Sequence, residues 1–575
     1  MSIVQPLVIK DWQNAVADSP HMGIAMIRNA DIESFPGAVK VAKLPQSFFF
    51  SGNTVTFTVN TGTDVGTASG AIEAGSLNFG GMAVRFTTTG TLPAGLSLNT
   101  VYFLIYVTGT TFKVATSYKN SVGSAAGTAI DITTTGTGTH TMTPVPIGTI
   151  NWIITDPRSS YVYALDSNGR VWFSTSTRLY LLLNSAIDTG TGTVTNASGN
   201  GLVSFATSDA SATYLFVFRN GVIDVINIYG DTAIEALAWS NSWQSMNTPI
   251  GTGNSHHAIV GQDNIIYFCD GRFVGSILEK AGSVFDPASG ATYGYTNQAL
   301  DLPQNDTAQC LEELGTNLLI GGNISNVIYP WNRIADSFSL VITVPEYSIK
   351  RMKNIGGRVY ILPGFLGNIY STQGSYVTFV KKIPTYLVNS ASSIQANEVT
   401  WGGIGAVNGA LIFGVGGLTS GSSGIYRLYE DGRLIHDNTP SIGSTNVIGL
   451  YAHDNFYLMG YAGGADNFSN LTLYANYNTV IQSALYRLGN KTQKASYTEL
   501  EVQVARPATT GHIRIKYRSN ESSSFADFPS GAVSITANSV DTSFNFDIGL
   551  IDIENLQIQI EMDGQFELME VRLIP

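Results

Sequence analysis

The sequence predicts an all-β protein, a six- or seven-bladed β-propeller with a small β-sandwich inserted early in the chain and a C-terminal β-sandwich or jelly-roll domain. Composition gives the first evidence. Asp, Glu, Lys and Arg make up 13% of the 575 residues, about half of the usual share in soluble proteins, which argues against coiled coils, disorder and charged helical surfaces. The 60 glycines, 27 tyrosines and 27 phenylalanines favour pleated strands joined by tight turns.

The chain is longer than a single hydrophobic core usually serves, so several domains are expected. Changes in composition divide it into four segments. Residues 1–47 contain short apolar runs and a Pro36-Gly37 turn, and they can supply a strand that closes the propeller ring. Residues 48–145 form a separate module, in which Thr, Gly, Ala and Ser dominate and only six charged residues occur. We expect the propeller in residues 146–495 and a compact acidic sandwich in residues 496–575.

Targeting signals and nucleic-acid-binding patches are not evident. The first ten residues lack a basic stretch followed by an apolar one, and no uninterrupted apolar run reaches the roughly 18 residues of a spanning helix. We therefore expect a soluble product that has no export signal of its own and does not insert into membranes by itself. With 30 basic and 42 acidic residues, the net charge is −12, and no Lys/Arg-rich run could neutralise a row of phosphates.

The early module contains β-branched and aromatic runs between Gly, Pro or Asn turns, which is typical of a small sandwich. The runs occupy residues 55–59, 84–86, 101–107 and 111–115. Residues 90–102 contain Leu-Pro-Ala-Gly-Leu before an aromatic strand, and Thr111-Phe112 begins the next strand. In these features the module resembles the immunoglobulin-like inserts of bacteriophage virion proteins, which implies an inserted immunoglobulin-like β-sandwich.

Hairpin turn signals recur through the central segment at a spacing of about 50 residues, as expected for four-stranded propeller blades. They are Asn168-Gly169, Asn220-Gly221, Asp270-Gly271, Gly321-Gly322 and Gly367-Asn368. Asn-Gly and Asp-Gly pairs suit the two positive-φ positions of a type I′ turn. Apolar runs flank each signal, and two further units are predicted around residues 410–429 and 456–474. Two ordinary sandwiches would show the same alternation and remain an alternative.

The last segment alternates between apolar and polar residues, as a strand with one buried face does. Strands are predicted at residues 500–504, 512–517, 544–548, 556–560 and 567–573. From Glu499 onward the chain has twelve acids and five bases. This surplus predicts either an acidic face that repels nucleic acid or meets a basic partner, or ordinary solvated strands.

Chemical motifs are scarce, and the sequence predicts no enzyme, no cofactor and no catalytic, cofactor-binding or metal-binding residues. Zinc-protease, nucleophile-elbow, phosphate-loop and calcium-loop patterns do not occur. His256 and His257 are adjacent, but neighbours on a strand point to opposite faces, so we expect no shared metal. Cys269 and Cys310 lack the spacing of metal ligands and are expected to be small buried residues.

One blade contains the arrangement Asp-x-x-Gly-x-x-Trp, with Asp166, Gly169 and Trp172. We expect its aspartate to accept bonds from turn amides and its tryptophan to pack between sheets. A glycosidase would need two facing carboxylates, and the acids of the blades show no recurrent placement along the sequence. Trp331 and Trp401 could stack on sugars if exposed, although tryptophan in β-proteins is mostly buried.

Three segments resemble the propellers of phage tails. Residues 28–41 contain Arg-Asn-Ala-Asp before a Pro-Gly turn, residues 323–338 contain Tyr-Pro-Trp-Asn-Arg, and residues 357–370 contain Gly-Arg-Val-Tyr-Ile-Leu-Pro-Gly. The chain is similar in these features to the nozzle, or second tubular tail protein, of short-tailed bacteriophages. In that family a propeller carries inserted sandwich domains, and six copies form a ring below the tail adaptor that closes the DNA channel.

The resemblance implies a structural virion protein that is made in the host cytoplasm and incorporated into the phage tail. It implies a homohexameric ring, contacts with the tail adaptor and tail fibre proteins, passage of DNA without specific binding, and no catalysis. Two other classes remain open: a tail adhesin whose propeller or insert grips a host glycan, and a depolymerase or sialidase-like enzyme.

Overall fold

A computed structural model of the chain contains 46 strands and one short helix in its described part. The described residues are 7–9, 24–28, 30–31, 39–41, 44–47, 49–50, 52–73, 78–122, 128–156, 161–174, 178–182, 199–206, 213–228, 239–240, 250–279, 294–335, 337–338, 340–384, 398–418, 422–438, 447–453, 456–461, 464–472, 479–483, 485–487, 495–505, 511–519, 524–535, 543–553, 555–563 and 567–575. The Pro36-Gly37 turn lies outside them.

The elements before the central segment are five amino-terminal strands, followed by six strands and a helix. The amino-terminal strands are β1 (Leu7–Ile9), β2 (Ile24–Arg28), β3 (Ala30–Asp31), β4 (Val39–Val41) and β5 (Leu44–Ser47). They are followed by β6 (Val55–Asn60), β7 (Val65–Ala68), β8 (Ala83–Thr88), β9 (Val101–Thr108), β10 (Thr111–Ala115), α1 (Tyr118–Val122) and β11 (His140–Pro144).

The central segment forms seven antiparallel blades of four strands each, six of them separate sheets and blade 6 part of a ten-stranded sheet, which confirms the predicted propeller. Blade 1 is β12 (Ile150–Thr155), β13 (Val162–Asp166), β14 (Val171–Ser174) and β15 (Tyr180–Leu181); blade 2 is β16 (Gly199–Ala206), β17 (Thr213–Arg219), β18 (Val222–Asn227) and β19 (Trp239–Ser240). Blade 3 is β20 (Ala258–Val260), β21 (Ile265–Asp270), β22 (Phe273–Leu278) and β23 (Tyr295–Asp301); blade 4 is β24 (Ala308–Leu314), β25 (Asn317–Gly322), β26 (Val327–Trp331) and β27 (Ile342–Thr343). Blade 5 is β28 (Ile349–Ile355), β29 (Arg358–Pro363), β30 (Asn368–Thr372) and β31 (Val377–Lys382). Blade 6 is β32 (Thr400–Val407), β33 (Ala410–Gly416), β34 (Gly424–Leu428) and β35 (Leu434–Asn438). Blade 7 is β36 (Gly449–His453), β37 (Phe456–Tyr461) and β38 (Gly464–Thr472), with β5 as its outer strand.

The blades close into a complete ring. The innermost strands β12, β16, β20, β24, β28, β32 and β36 each contact the next, and β36 returns to β12. The amino-terminal strand β5 completes blade 7 by pairing antiparallel with β38, with Ser47 opposite Asp466. Because the ring is closed, each blade has a neighbouring blade on both of its faces.

Apolar clusters between neighbouring blades form the core of the ring. In the cluster between blades 2 and 3, Phe216 and Phe218 meet Ile266 and Phe268, and similar clusters fill the spaces between the other neighbouring blades. Strands β17 and β33 are therefore buried at every residue, as strands covered on both faces are expected to be.

The turn signals mark the connection between the second and third strands of the blades, but their conformation differs from the prediction. Gly169, Gly221 and Gly271 have φ of 75°, 82° and 61°. The Asn or Asp before each of them is not among the residues with positive φ. Each of these three turns therefore uses one left-handed residue where type I′ would need two, so the predicted turn type was wrong although these turn positions were right. The predicted turn at Gly321-Gly322 lies instead at the end of strand β25.

The inserted module is a closed six-stranded barrel with the strand order β10-β7-β6-β11-β8-β9. This corrects the expected immunoglobulin-like sandwich, in which two separate sheets would face each other. The apolar alternation along each strand is the same in a barrel and a sandwich. The predicted runs did not include strands β7 and β11, whose pairing with β6 joins the others into one cylinder.

The barrel interior is packed with aromatic rings. Phe57, Phe86, Tyr102 and Phe112 belong to one buried cluster, and the Phe57 and Phe112 ring centroids are 5.7 Å apart. Gly66 lies opposite Phe112 in the β7–β10 pair. A Cβ atom at Gly66 would lie 2.5 Å from the Phe112 ring, so the ring occupies the space that a side chain would need.

The barrel is fixed to the propeller by a shared core. One buried cluster contains Ala83 and Phe103 of the barrel together with Ile150 and Trp172 of blade 1. Tyr118 of α1 packs edge-on against Phe173 of blade 1, at 4.9 Å between ring centroids. Ion pairing between Arg178 and Glu73 adds a charged contact across the same junction.

The carboxyl-terminal strands lie in two sheets that extend beyond the segment 496–575. The strands are β39 (Thr479–Ser483), β40 (Tyr486–Arg487), β41 (Ala495–Ala505), β42 (Gly511–Arg518), β43 (Ala526–Ile535), β44 (Ser543–Ile553), β45 (Asn555–Asp563) and β46 (Glu567–Ile574). One sheet has the order β3-β4-β46-β41-β44, with β1 on β46. The other runs β2-β39-β45-β42-β43, with β40 on β45.

The second of these sheets continues into the propeller. Strand β2 pairs in parallel with β35, the outer strand of blade 6, with Arg28 opposite His436. Strands β1 to β4 thus lie in the carboxyl-terminal sheets, with β2 also paired to blade 6, and β5 is the strand that completes a blade of the ring. Strand pairing therefore crosses the boundaries expected at residues 47 and 495. Within the described residues, no helix has the length and apolar character needed to cross a membrane.

We predict that Gly66→Ala destabilises the barrel by about 1–3 kcal/mol, because the new methyl group would push against the buried Phe112 ring. Gly70→Ala is the matched control, since a Cβ there meets no atom within 4 Å; it should change stability by less than about 1 kcal/mol. Thermal unfolding of both variants measures the difference. Equal melting temperatures for the two variants would contradict the packing of Phe112 over Gly66.

Candidate functional site at the propeller axis

Side chains from three non-neighbouring blades meet at the centre of the ring. Trp152 lies on β12 of blade 1, His257 directly precedes β20 of blade 3, and Arg351 lies on β28 of blade 5. The Trp152 and His257 rings stack at 5.0 Å between centroids with 29° between their planes. The Arg351 guanidinium lies 5.9 Å from the Trp152 ring centroid, within the range of a cation–π contact. Because the innermost strands surround the axis, these residues meet across the axial region and narrow it at this level.

Bulges near the start of the innermost strands help to place these side chains. The register shifts between Ile150 and Trp152 on β12, and between Ile349 and Arg351 on β28. Strands β16, β24 and β32 have a shift near the same end. A bulge re-aims the side chains next to it, so the repeated shifts change which residues face the axis.

His257 is held as a neutral hydrogen-bond donor. Its Nδ1 accepts a hydrogen bond from the Leu311 backbone N–H at 2.8 Å, so the ring proton is carried by Nε2. Burial, together with the positive charges of Arg351 and Lys353, lowers the pKa of His257 to about 3. The imidazole therefore stays neutral near pH 7.

Positive charge is concentrated beside His257. Arg351 donates from Nη1 to the Lys350 carbonyl oxygen at 2.9 Å, while Lys353 forms an ion pair with Glu312 at 3.6 Å. Burial lowers the pKa of both Arg351 and Lys350. Burial also raises the pKa of Glu312, although Lys353 opposes that shift.

The two cysteines of the propeller are not activated nucleophiles. Burial raises the pKa of the Cys310 thiol to about 12 and raises that of Cys269 as well, so neither thiol is activated. Both cysteines are buried and free, as expected for small core residues. The described residues include no group of three or more His, Cys, Asp or Glu side chains that could hold a metal ion.

The adjacent histidines have separate environments. His256 is fully buried, and its Nδ1 and Nε2 lie 2.9 Å and 3.0 Å from the carbonyl oxygens of Cys269 and Gly251. His257 faces the axis instead. The sequence expectation that the two side chains point apart agrees with this geometry, but nothing in the sequence indicated that His257 would meet Trp152 and Arg351.

Trp331 and Trp401 are buried, with exposures of 4% and 8%. Their indole N–H groups donate to Ala335 and Pro363 carbonyl oxygens at 2.7 Å and 2.8 Å. These two rings are part of the core and present no face for stacking on sugars.

Carboxylates recur at one corner of the blades, contrary to the sequence analysis, which found no recurrent placement. In blade 1, Asp166 accepts hydrogen bonds from the Gly148 N–H at 2.9 Å and from the Trp172 indole at 3.0 Å. In blade 3, Asp270 accepts from the Gly251 N–H at 2.7 Å. Both acids lie at the end of the second strand and bond to the segment that enters the first.

In blades 4 and 5 the carboxylate comes from the entering segment itself. Asp306 accepts from the Tyr329 hydroxyl at 2.9 Å, and Glu346 accepts from the Tyr370 hydroxyl at 3.3 Å. The same corner of each of these blades holds an acid, which comes either from the end of the second strand or from the segment that enters the first strand. This is why no fixed sequence spacing revealed it, and its role is to satisfy turn and hydroxyl donors.

A second concave feature lies where the barrel meets blade 1. The cavity has a volume of about 430 Å³, and its lining includes Phe50, Met82, Trp172 and Tyr180. The Phe50 and Tyr180 rings are in edge-to-face contact at 5.5 Å, and the Arg178 guanidinium lies 4.8 Å from the Phe50 centroid. Its volume and its place between two domains are those of many small-molecule sites.

Comparison with solved structures finds β-propellers over more than half of the chain. The β-propeller domain of Cps50 (Swd1) from Myceliophteria thermophila is 8% identical, with a TM-score of 0.35, and the match covers 56% of this chain and 97% of that chain. U3-55K is 11% identical, with a TM-score of 0.38 and coverage of 55% and 89%. The WD40 repeats of RRP9 are 10% identical, with a TM-score of 0.37 and coverage of 59% and 95%. No protein-family model and no curated protein matches the chain.

We predict that His257 makes the fold sensitive to acid. Its pKa is about 3 in the native protein and 6.5 ordinarily, so the unfolded chain binds more protons between these values, and stability falls as the pH decreases from 6.5. His257→Asn keeps an acceptor for the Leu311 N–H but does not titrate. The variant should be less stable than the wild type at pH 7, and this deficit should shrink by up to about 1.4 kcal/mol per pH unit on acidification.

Thermal unfolding of the wild type and His257→Asn at several pH values between 7 and 4.5 provides the measurement. Comparing the two proteins at each pH cancels the titration of the many surface carboxylates. A stability difference that does not change with pH would contradict the neutral state of His257 in the folded protein.

Proposed function

We propose that this protein is a non-catalytic structural subunit of a bacteriophage tail, a nozzle-type ring component around the path of DNA ejection. The observation that carries the proposal is an exposed apolar patch on blades 4 and 5, which suits permanent contact between subunits. Sequence similarity to phage tail propellers in residues 28–41, 323–338 and 357–370 supports the phage assignment. A jelly-roll connection of the carboxyl-terminal strands belongs to the same proposal.

The blade 4–5 patch consists of Ile324, Tyr347, Phe365 and Leu366, which are 59%, 70%, 50% and 49% exposed. Three of these residues lie within the two propeller segments that resemble phage proteins. Backbone hydrogen bonds from Ser348 to Ser325 and from Gly364 to Ser348, each 2.8 Å long, hold the three loops together. Clustered exposed apolar side chains of this kind mark interaction surfaces.

The rigid attachment of the other domains also supports a scaffold. The barrel shares a core cluster with blade 1, and a carboxyl-terminal sheet is continuous with blade 6. A subunit built in this way holds its surfaces at fixed positions, as a symmetric ring requires.

Charge supports passage of DNA without binding. In the carboxyl-terminal sheets, Arg514 bonds to Asp527 and Lys516 to Glu561, each at 2.6 Å, and Arg572 bonds to Glu570 at 2.7 Å. These cations are already paired with carboxylates, so they offer little to phosphates, and the surplus of acids would repel DNA.

We predict a homohexamer whose assembly depends on the blade 4–5 patch. Replacing both Tyr347 and Phe365 with Ser should weaken association at least about a hundredfold, because two large apolar side chains lose their burial. Ile334→Ser is the matched control, since Ile334 is 89% exposed but lies in the β26–β27 connection at the opposite end of the blade. Native mass spectrometry and sedimentation over a range of concentrations measure the assembly.

The apolar interface should also make association insensitive to salt. Copies counted around the tail axis of purified particles test the virion assignment directly. A wild-type chain that stays monomeric at every concentration and is missing from particles would overturn the proposal. Equal loss of assembly in the Ile334→Ser control would place the interface elsewhere.

A second candidate function, a glycan-binding tail adhesin, is favoured by the aromatic cavity at the barrel junction. It predicts a specific signal on a glycan array that Tyr180→Ala removes and Ile334→Ser leaves unchanged. An array without signal at high protein concentration would rule against this function.

A further inference from the structure

In the part of the chain that the structure describes, the axial site has more hydrogen-bond donors than acceptors that bind them. His257 uses Nδ1 as an acceptor from Leu311, which leaves its Nε2–H as a donor. Arg351 donates from Nη1 to the Lys350 carbonyl oxygen, and its other guanidinium N–H groups remain as donors for a ligand. Lys350 is the residue skipped by the register shift on β28, and its ammonium group is close enough to interact electrostatically with Arg351.

The cations at this site are incompletely compensated. Three of them, Lys350, Arg351 and Lys353, lie on one strand, and Glu312 pairs with Lys353. Within the described ranges, no carboxylate forms an ion pair with Arg351 or Lys350. The neighbouring Glu313 is taken up by its ion pair with Arg333.

A partly buried guanidinium keeps its charge, because arginine does not lose its proton in proteins. Such a charge is costly unless a counter-charge accompanies it. Trp152 offers only the face of its ring, which compensates weakly compared with an anion. The arrangement therefore favours a negatively charged ligand at the level where Trp152, His257 and Arg351 meet.

We infer that the propeller axis contains a binding site for a small oxyanion, held by Arg351, Lys350 and the Nε2–H of His257. Guanidinium and ammonium groups bind phosphate and carboxylate oxygens with strong, charge-assisted hydrogen bonds. Phosphate and a dicarboxylate share this chemistry, and the ligand would lie against the Trp152–His257 stack. The site belongs to the propeller alone and does not depend on what the chain assembles into.

The test uses the full-length protein labelled with 5-fluorotryptophan and followed by fluorine NMR. The chain has seven tryptophans, and Trp152→Phe identifies the axial resonance. Inorganic phosphate is titrated near pH 7 against sodium chloride at constant ionic strength. We expect the Trp152 resonance to shift along a saturable curve while the distant tryptophan resonances stay in place.

Arg351→Gln should abolish the saturable shift. Lys382→Gln is the matched control, because it removes one positive charge from β31, the outer strand of the same blade, and should leave the shift intact. Unchanged resonances of the other tryptophans show that a variant is folded. If Arg351→Gln perturbs them, Lys350→Gln takes its place and should weaken phosphate binding by about tenfold.

A parallel titration with succinate separates the two ligand types. Saturation at lower phosphate than succinate assigns the site to phosphate, and the reverse order assigns it to carboxylates. A Trp152 resonance that does not move, or moves only linearly with both anions, overturns the inference. A saturable shift that persists in both Arg351→Gln and Lys350→Gln overturns it as well.

Discussion

The packing of each blade against its two neighbours is the constraint on which the rest of the structure depends. A blade such as blade 2, whose strand β17 is buried at every residue, cannot leave either face in water. The ring must therefore close, and closure depends on β5, which crosses from the amino-terminal segment to complete blade 7. The strand just before the barrel is thus committed to the propeller, and this helps to explain why the barrel packs on blade 1, the neighbour of blade 7.

Local signals in the sequence predicted the blades well, and long-range contacts account for what it could not predict. Runs such as residues 265–269 and 273–277, separated by Asp270-Gly271, identify a hairpin because both strands and their turn lie within 13 residues. The closed barrel depends on β11 meeting both β6 and β8, strands more than 50 residues earlier in the chain. Trp152, His257 and Arg351 are about 100 residues apart from one to the next, and no local pattern relates them. The recurrent blade acids could not be predicted for a different reason. The acid at the blade corner comes from the second strand in some blades and from the entering segment in others, so it has no fixed spacing in the sequence.

Under the proposed function, the contacts at the axis bear on how a subunit would surround DNA. Trp152, His257 and Arg351 meet across the centre of the propeller and narrow the hole expected in a toroid of blades. In the proposed ring, a DNA conduit would lie between copies of the chain, with blade faces, barrels or carboxyl-terminal sheets as its wall. The axial residues would then serve the rigidity and ligand chemistry of each subunit.

The continuous sheet between blade 6 and the carboxyl-terminal strands has a mechanical consequence. Pulling on those strands would load the ladder through β45, β39 and β2 before the force reached β35. The β2–β35 step is the shortest ladder in this series, with one registered pair at Arg28 and His436, whereas β2 and β39 share four. Under tension the carboxyl-terminal sheet would separate from blade 6 first at the β2–β35 pairing, and the seven blades would stay intact.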